Sequence, residues 1–263
     1  MVTNLHTFVV CAYECSPYLD DCVRSVLNQT VKSSVIITTA TPNEYIKRIA
    51  KKYDVPLIIN SQQPSISGDW NFGVSQVKTD YFTIAHQDDL YEKHYTEIML
   101  NSFKKSKKPL IFFSDYSELR GGNIVAKSTL LNIKRIMLLP LRMRQFQKSK
   151  WIRRRILSFG NPICCPAVSF SKNNLKTPIF SNKFKCDLDW LAWENISKLD
   201  GEFLYIPKIL MSHRIHQEST TTELIENSVR YNEDLEMFKM FWPSFIAKIL
   251  SRFYLKSEKS NKE

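Results

Sequence analysis

Two rhythms of apolar residues alternate along the first 120 positions. His6 to Ala12 (HTFVVCA), Val35 to Thr38 (VIIT), Leu57 to Asn60 (LIIN) and Tyr81 to Ala85 (YFTIA) are short runs rich in β-branched and aromatic residues. Each predicts a buried strand. Between the first two, Tyr18, Leu19, Cys22, Val23, Val26 and Leu27 fall at the i, i+3, i+4 spacing of an amphipathic helix. In TPNE, Thr41 is a candidate N-cap, Pro42 the first helical residue and Glu44 the return partner of a capping box. Asp69 to Val77 and Lys93 to Lys105 predict two more helices. Strands separated by helices imply βαβ units and a mainly parallel α/β sheet. Ligands of such sheets bind beyond the carboxyl ends of the strands.

Past Lys105 the rhythm changes. LIFFSDYSEL, Gly121-Gly122 and NIVAK predict an added hairpin. Leu130 to Leu157 predicts a long basic helical stretch broken near Pro140, followed by a strand over Cys164 to Phe170 and a helix over Leu188 to Lys198. EFLYIP and KILMSH predict two strands, Thr222 to Trp242 a helix followed by a shorter one, and SEKSNKE a frayed tail. With no repeat and no linker, residues 1–220 are expected to form one domain with halves 1–118 and 119–220. Residues 221–263 are expected to form a helical appendage and tail.

The chain has 263 residues and is 43% hydrophobic, enough for a sizeable core. Its greasiest piece, Ile136 to Leu141, is too short to span a bilayer and contains Pro140. The N-terminus lacks a basic start followed by a long apolar block, so a cytoplasmic location is expected. Six cysteines fit no paired zinc spacing and are expected as reduced thiols, the vicinal Cys164-Cys165 serving packing, redox or acceptor contact. The net charge of +11 is localised. Leu119 to Cys186 contains fifteen Lys and Arg and no acid, while the rest carries 22 basic and 26 acidic residues.

Immediately after YFTIA come His86, Gln87, Asp88 and Asp89. Adjacent carboxylates at a strand end suit a hard divalent cation. The plain structural alternative is an N-cap for the next helix.

In its motifs the chain resembles the family 2 glycosyltransferases of GT-A fold. In CAYECSPYLDDCVRSVLNQT, Tyr13, Tyr18, Leu19, Ser25, Gln29 and Thr30 match the family's opening strand, loop and helix, with Glu14 where Asn is usual. In NFGVSQVKTDYFTIAHQDD, Asn71, Gly73, Tyr81, Asp88 and Asp89 match the stretch ending in its Asp-x-Asp-Asp motif. LDWLAWENIS resembles its acidic, Trp-rich helix, and HRIHQEST its Arg-x-His-x-x-Ser loop. The chain departs where Thr38-Thr39-Ala40 replaces a donor-contacting Asp pair, His86 the first Asp of the motif, Trp70 a frequent Arg, and Leu188 the acid before Asp189.

The resemblance implies an inverting transfer of a sugar from a nucleotide-diphosphate sugar to a glycan or lipid-linked acceptor in bacterial surface polysaccharide synthesis. Residues 1–118 would be the donor-binding half. Asp189 would be the general base. Ala12, Tyr13, Glu14, Thr39, Asn71, His86, Gln87 and Arg214 would contact the donor. Asp88, Asp89 and His216 would hold Mn²⁺ or Mg²⁺, and Trp190 and Trp193 would face the acceptor sugar, or simply pack the core. The basic segment 130–158, and above all Lys134 to Arg155 with nine Lys or Arg, predicts peripheral contact with an anionic membrane at its inner face, or else a solvated face. Of the rival readings, a sugar nucleotidyltransferase lacks its Gly-rich loop here. A nucleic-acid-binding protein would leave the carboxylates without a role, so no nucleic-acid partner is expected. A non-catalytic GT-A relative is the alternative that Thr39 and His86 motivate.

Overall fold

The structure is a computed structural model that describes residues 2–216 and 229–259. Four strands open the chain: β1 (Val2–Cys11), β2 (Lys32–Thr39), β3 (Leu57–Ile59) and β4 (Tyr81–His86). They alternate with α1 (Leu19–Leu27), α2 (Glu44–Lys52) and α3 (Ile66–Gln76). Then come β5 (Leu90–Tyr91), α4 (Tyr95–Lys104), the hairpin β6 (Pro109–Arg120) and β7 (Asn123–Val125), α5 (Thr129–Met137), α6 (Arg144–Gln147), α7 (Lys150–Leu157), β8 (Val168–Ser171), α8 (Leu188–Ser197) and β9 (Glu202–Ile215). The chain closes with α9 (Val229–Lys239) and α10 (Ser244–Lys259).

The sheet order is β3-β2-β1-β4-β8-β6-β9-β5, with β7 on β6. The long pairings β1–β2, β1–β4 and β6–β9 are parallel, and the short insertions β8, β5 and β7 are antiparallel. Both faces of β1 are covered, as parallel strands require. Phe8, Val10 and Ala12 join the core beneath α1, α2 and α4, whereas Val9 joins Val74 and Val77 at α3 in the opposite core. The period-2 alternation of strand side chains produces that division. His6, wedged between Ser33 on β2 (2.8 Å) and Thr83 on β4 (2.9 Å), ties three strands together, and burial pushes its pKa down to about 3, leaving a neutral ring.

Local sequence explains the helix starts, with one correction. The N-cap of α2 is Asn43, whose Oδ1 accepts the Ile46 N–H at 2.9 Å; Thr41 instead accepts the Glu14 N–H. Gly73 of α3 is required by closeness, since a Cβ there would lie 2.6 Å from Val9 Cγ1.

Three further expectations are corrected. The stretch 130–157 is not one kinked helix but α5, a 3₁₀ turn at Leu139–Arg142, α6 and α7. EFLYIP and KILMSH form one strand, β9, whose partner register jumps from Ser114↔Ile206 to Asp115↔Ile209. The irregularity spans Pro207, which has no N–H for the ladder. The C-terminal helices share the main core rather than hanging from it. Met237, Phe238 and Ala247 are buried in it, and Trp190 packs edge-on against Phe238 at 5.1 Å. The expected boundary at 220 and the start of the predicted Thr222 to Trp242 helix lie outside the described residues.

Candidate active site

The carboxyl ends of β1, β2 and β4 converge with the end of β9. The two-residue strand β5 makes this possible by pairing Leu90 with Ser212 and Tyr91 with Met211, which places the Asp88-Asp89 turn against His213 to His216. Ser25 of α1 and Gln29 just beyond its C-cap hold the segment that follows this turn. Ser25 Oγ accepts the Tyr91 N–H, and the Gln29 amide donates to the Glu92 carbonyl while accepting the Thr96 N–H.

The neighbouring acids have different tasks. Asp89 has 0% exposure, and one oxygen accepts from Arg214 N at 2.8 Å and from His213 Nδ1 at 3.0 Å. Burial alone would raise its pKa; the field of His213, its hydrogen bond and the Arg214 N–H outweigh that and hold the carboxyl below its ordinary value. His213 responds in the opposite sense, its protonated form favoured by Asp89 against burial. Asp88 keeps 24% side-chain exposure, accepts from Ser16 Oγ at 2.8 Å and lies 3.2 Å from His216 Nε2. Arg214 donates Nε to the Asp88 carbonyl at 2.8 Å, and its guanidinium lies 4.1 Å above the Tyr18 ring, which also packs on His216 at 5.1 Å. This is a polar, cation-bearing corner suited to an anionic diphosphate.

Asp89 faces inward as an anchor for His213 and Arg214, leaving Asp88 and His216 at the surface of the corner. Among the described residues, no cluster of three or more His, Cys, Asp or Glu side chains is placed to hold an ion. The pair nonetheless fits a hard cation, since such ions are commonly held by one or two protein groups plus substrate phosphates.

Of the donor-side expectations, Ala12 and Thr39 are buried at their strand ends, and Tyr13 is 48% exposed at the mouth. Glu14 adopts φ +51°, with its N–H on Thr41 Oγ1 (2.7 Å) and its carbonyl accepting from Asn43 Nδ2 (3.0 Å). Two residues are reassigned. Gln87 clamps the Tyr13 backbone, its Oε1 accepting the N–H at 2.9 Å and its Nε2 donating to the carbonyl at 3.1 Å. Asn71 staples a loop, donating to the Phe180 carbonyl at 2.7 Å and accepting the N–H groups of Ile179 and Phe180 at 3.1 Å. Both amides are engaged by backbone, which gives each a structural role.

Two of the departures from the family pattern are one feature in space. Trp70 stacks on His86 at 4.8 Å and 22°, so a paired aromatic replaces an Arg and an acid. Burial lowers the His86 pKa against the opposing field of Asp89, so the ring is held neutral, and its Nε2 has no hydrogen-bond partner among the described residues.

Asp189 lies in the first turn of α8, partly buried. Its carboxylate accepts from two neutral donors, Asn161 Nδ2 at 2.9 Å and its neighbour's Trp190 N–H at 2.7 Å, while Arg230 and Lys134 act on it through their fields. Burial raises its pKa against those two hydrogen bonds. Cys164 connects this pocket with the corner: burial, then the fields of Asp89 and Asp189, push its thiol up. The vicinal cysteines are thus protonated packing groups, each within the fields of both acids. Trp190 and Trp193, expected to face the acceptor, are both at 0% exposure. Trp190 donates Nε1 to the Leu157 carbonyl and Trp193 stacks on Phe170, so neither offers a sugar platform. An open cleft of about 720 Å³ lined by Glu92, His94, Asp115, Arg135 and Lys208 contains none of the candidate donor, metal or base residues.

Sequence reading did not single out Ser16, Asn161 or the anchoring role of His213. Single polar residues in loops carry no periodic signal, and only their tertiary partners reveal them.

Mixed sheet, strand-end corner and helix-borne acid together define an α/β protein of GT-A fold. The family model described as Glycosyl transferase family 2 matches residues 7–171, and the chain belongs to that family. Among curated relatives, an uncharacterized glycosyltransferase of Rickettsia typhi is 21% identical over 254 residues, covering 93% of this chain and 72% of that protein. One from Haemophilus influenzae is 22% identical, with 83% and 68% covered. Two solved structures share the fold. S. aureus TarS 1-349 in complex with UDP-GlcNAc has a TM-score of 0.59, 14% identity and coverage of 95% and 71%. The mannosyltransferase PcManGT from Pyrobaculum calidifontis, in complex with GDP-Man and Mn²⁺, has a TM-score of 0.61, 12% identity and coverage of 95% and 69%.

Proposed function

We propose that this glycosyltransferase moves a sugar, with inversion, from a nucleotide-diphosphate sugar to a hydroxyl of a glycan or lipid-linked acceptor in surface polysaccharide synthesis. The observation that carries the reading is the pairing of a cation-bearing corner with a poised base, Cys164 lying within the fields of both acids. The donor base would sit near Ala12, Tyr13, Glu14 and Thr39, with His86 offering its unpartnered Nε2 to a donor hydroxyl. Arg214 would bind diphosphate oxygens. Asp88 and His216 would hold Mn²⁺ or Mg²⁺, which when bound supplies charge neutralisation on the departing diphosphate. Asp189 takes the proton from the acceptor hydroxyl as its oxygen bonds to the anomeric carbon and the bond from that carbon to the diphosphate breaks. One displacement, with no covalent enzyme intermediate, inverts the centre. That the two structural neighbours were solved with nucleotide sugars supports the donor class.

The membrane-side expectation needs redistribution. Arg153 is buried, donating to the carbonyls of Ser197, Leu199 and Gly201, and Arg154 pairs with Glu194. The basic segment is therefore partly internal, and peripheral contact at the inner membrane face would rest on its exposed remainder. Among the described residues no helix is long and apolar enough to cross a membrane.

The test is a panel of nucleotide sugars with Mn²⁺, read by donor hydrolysis and thermal protection. At least one donor is expected to respond, and Asp88→Asn is expected to abolish the Mn²⁺-dependent part. Indifference to every donor would sink the enzymatic reading.

A further inference from the structure

Helix α10 carries an apolar stripe that the fold leaves outside. Phe245, Ile249 and Phe253 recur every four residues at 67%, 51% and 68% exposure, while Ala247 and Ser251 on the opposite face are fully buried. Lys248 and Arg252 are exposed beside the stripe. An ordinary surface helix turns its apolar residues inward and its charges outward; this one has an apolar face on each side.

A second exposed apolar group, on and just after α7, meets the turn before α10 at Trp242. Arg155 lies over both Trp242 (4.9 Å) and Trp151 (5.5 Å), and Phe159 packs on Trp242 at 5.6 Å. Trp151 is 68% exposed and Phe159 50%. Neither Leu119 to Cys186 nor Met237 to Ser257 contains an Asp or Glu, so the patch combines large apolar side chains with cations and no acid from its own segments. A second copy of the chain would set Lys248, Arg252 and Arg155 against their own images across a two-fold interface. A bilayer with anionic headgroups accepts both components, rings into the interface and cations onto phosphates.

This surface is also coupled to the base. Tyr254, on the inner side of α10, accepts the Asn161 N–H at 3.4 Å, and Asn161 donates Nδ2 to Asp189 at 2.9 Å. We propose that α10, together with Trp151 and Phe159, is a docking surface for anionic lipid bilayers that presents Asp189 to an acceptor carried by the bilayer. The presentation rests on the transferase reading above; the docking surface does not.

The experiment is co-sedimentation of the whole chain with phosphatidylcholine vesicles, with or without phosphatidylglycerol, alongside light scattering and donor hydrolysis in solution. The wild type is expected to pellet with the anionic vesicles only. Phe245→Ser/Ile249→Ser/Phe253→Ser and, separately, Lys248→Glu/Arg252→Glu are expected to lower that partition at least tenfold while keeping the thermal transition and donor hydrolysis. A wild type that ignores anionic vesicles, or a triple variant that pellets like it, overturns the proposal. So does a wild-type dimer that the triple variant dissolves while vesicles have no effect. Vesicle binding without response to any donor supports the surface and removes the enzymatic reading.

Discussion

Asp89 is fully and Asp189 partly withdrawn from water, yet the protein shifts their pKa values in opposite directions. Asp89, at the end of β4, faces His213 and the Arg214 backbone and is kept ionised, its pKa depressed despite burial. Asp189, at the head of α8, accepts hydrogen bonds from an amide and a peptide N–H and feels Arg230 and Lys134 only through their fields, so burial wins, lifting its pKa. The difference is the charge of the partner rather than the depth of the site. A carboxylate locked by a cation makes a fixed anchor, whereas one balanced against neutral donors can accept a proton. The corner and the base pocket thus obtain different chemistry from one residue type.

The largest effect should come from the side built for chemistry. Asp189→Asn is expected to lower kcat by about 10²–10⁴-fold, the range general-base groups contribute, with donor affinity unchanged. Initial rates with acceptor, beside donor titration, check it; retained transfer would end the role of Asp189 as base. The anchor should instead fail in stability. Asp89→Ala leaves the half-buried His213 and the Arg214 N–H without their acceptor, a loss of about 1–3 kcal/mol in urea unfolding, together with donor affinity as Arg214 and His216 lose their seat. If the two variants exchanged these signatures, the division of labour would be reversed.

The pH dependence sharpens the contrast. Asp189 must be ionised to act, so a raised pKa places the acid arm of the kcat profile above the ordinary Asp value of about 3.9. Asn161 stabilises the ionised form, so Asn161→Ala should move that arm to still higher pH. An arm that stays in place would show that Asn161 does not tune the base. The sign for stability follows: a group whose folded pKa is raised stabilises the fold while protonated and loses that contribution as pH rises through the folded value. Asp189→Asn should therefore gain in Tm relative to wild type as pH increases through that window.

Much of this was legible in the sequence, for reasons that differ by region. Strands β1 and β4 carry continuous apolar runs because both faces are covered there, and α1 shows its buried stripe directly. The Asp88-Asp89 corner was visible because adjacent acids after an apolar run are conspicuous. What was not legible was partnership. The acid-free basic segment reads as a surface, but Arg153 closes the carbonyl end of α8, Arg154 meets Glu194, and Arg135 lies 3.3 Å from Asp115. Composition counts those charges and does not place them. Trp190 and Trp193 read as a sugar platform or as core, and packing around Phe170, Phe238 and Tyr254 decided for the core. Asn71 and Gln87 match or adjoin motif positions because backbone needs them, a role that resembles ligand contact when only the letter is seen.

The smallest expected effect concerns Glu14, and it tests whether the donor loop is tuned or merely tolerated. Its φ of +51° lies in the left-handed region, where a side chain such as Glu crowds its own backbone and Asn is several-fold better accommodated. The conformation persists because Thr41 and Asn43 hold the peptide groups on both sides of Glu14. Glu14→Asn relieves the strain without touching those two hydrogen bonds, which use only the backbone of residue 14. It should stabilise the protein by about 1 kcal/mol, seen as an upward shift in the urea midpoint with unchanged slope. If the carboxylate has no part in donor binding, affinity for the responding nucleotide sugar will stay the same. A gain in stability accompanied by lost donor affinity would instead show that the strained Glu is retained for its charge, assigning to the corner a third acid, exposed and separate in role from both Asp89 and Asp189.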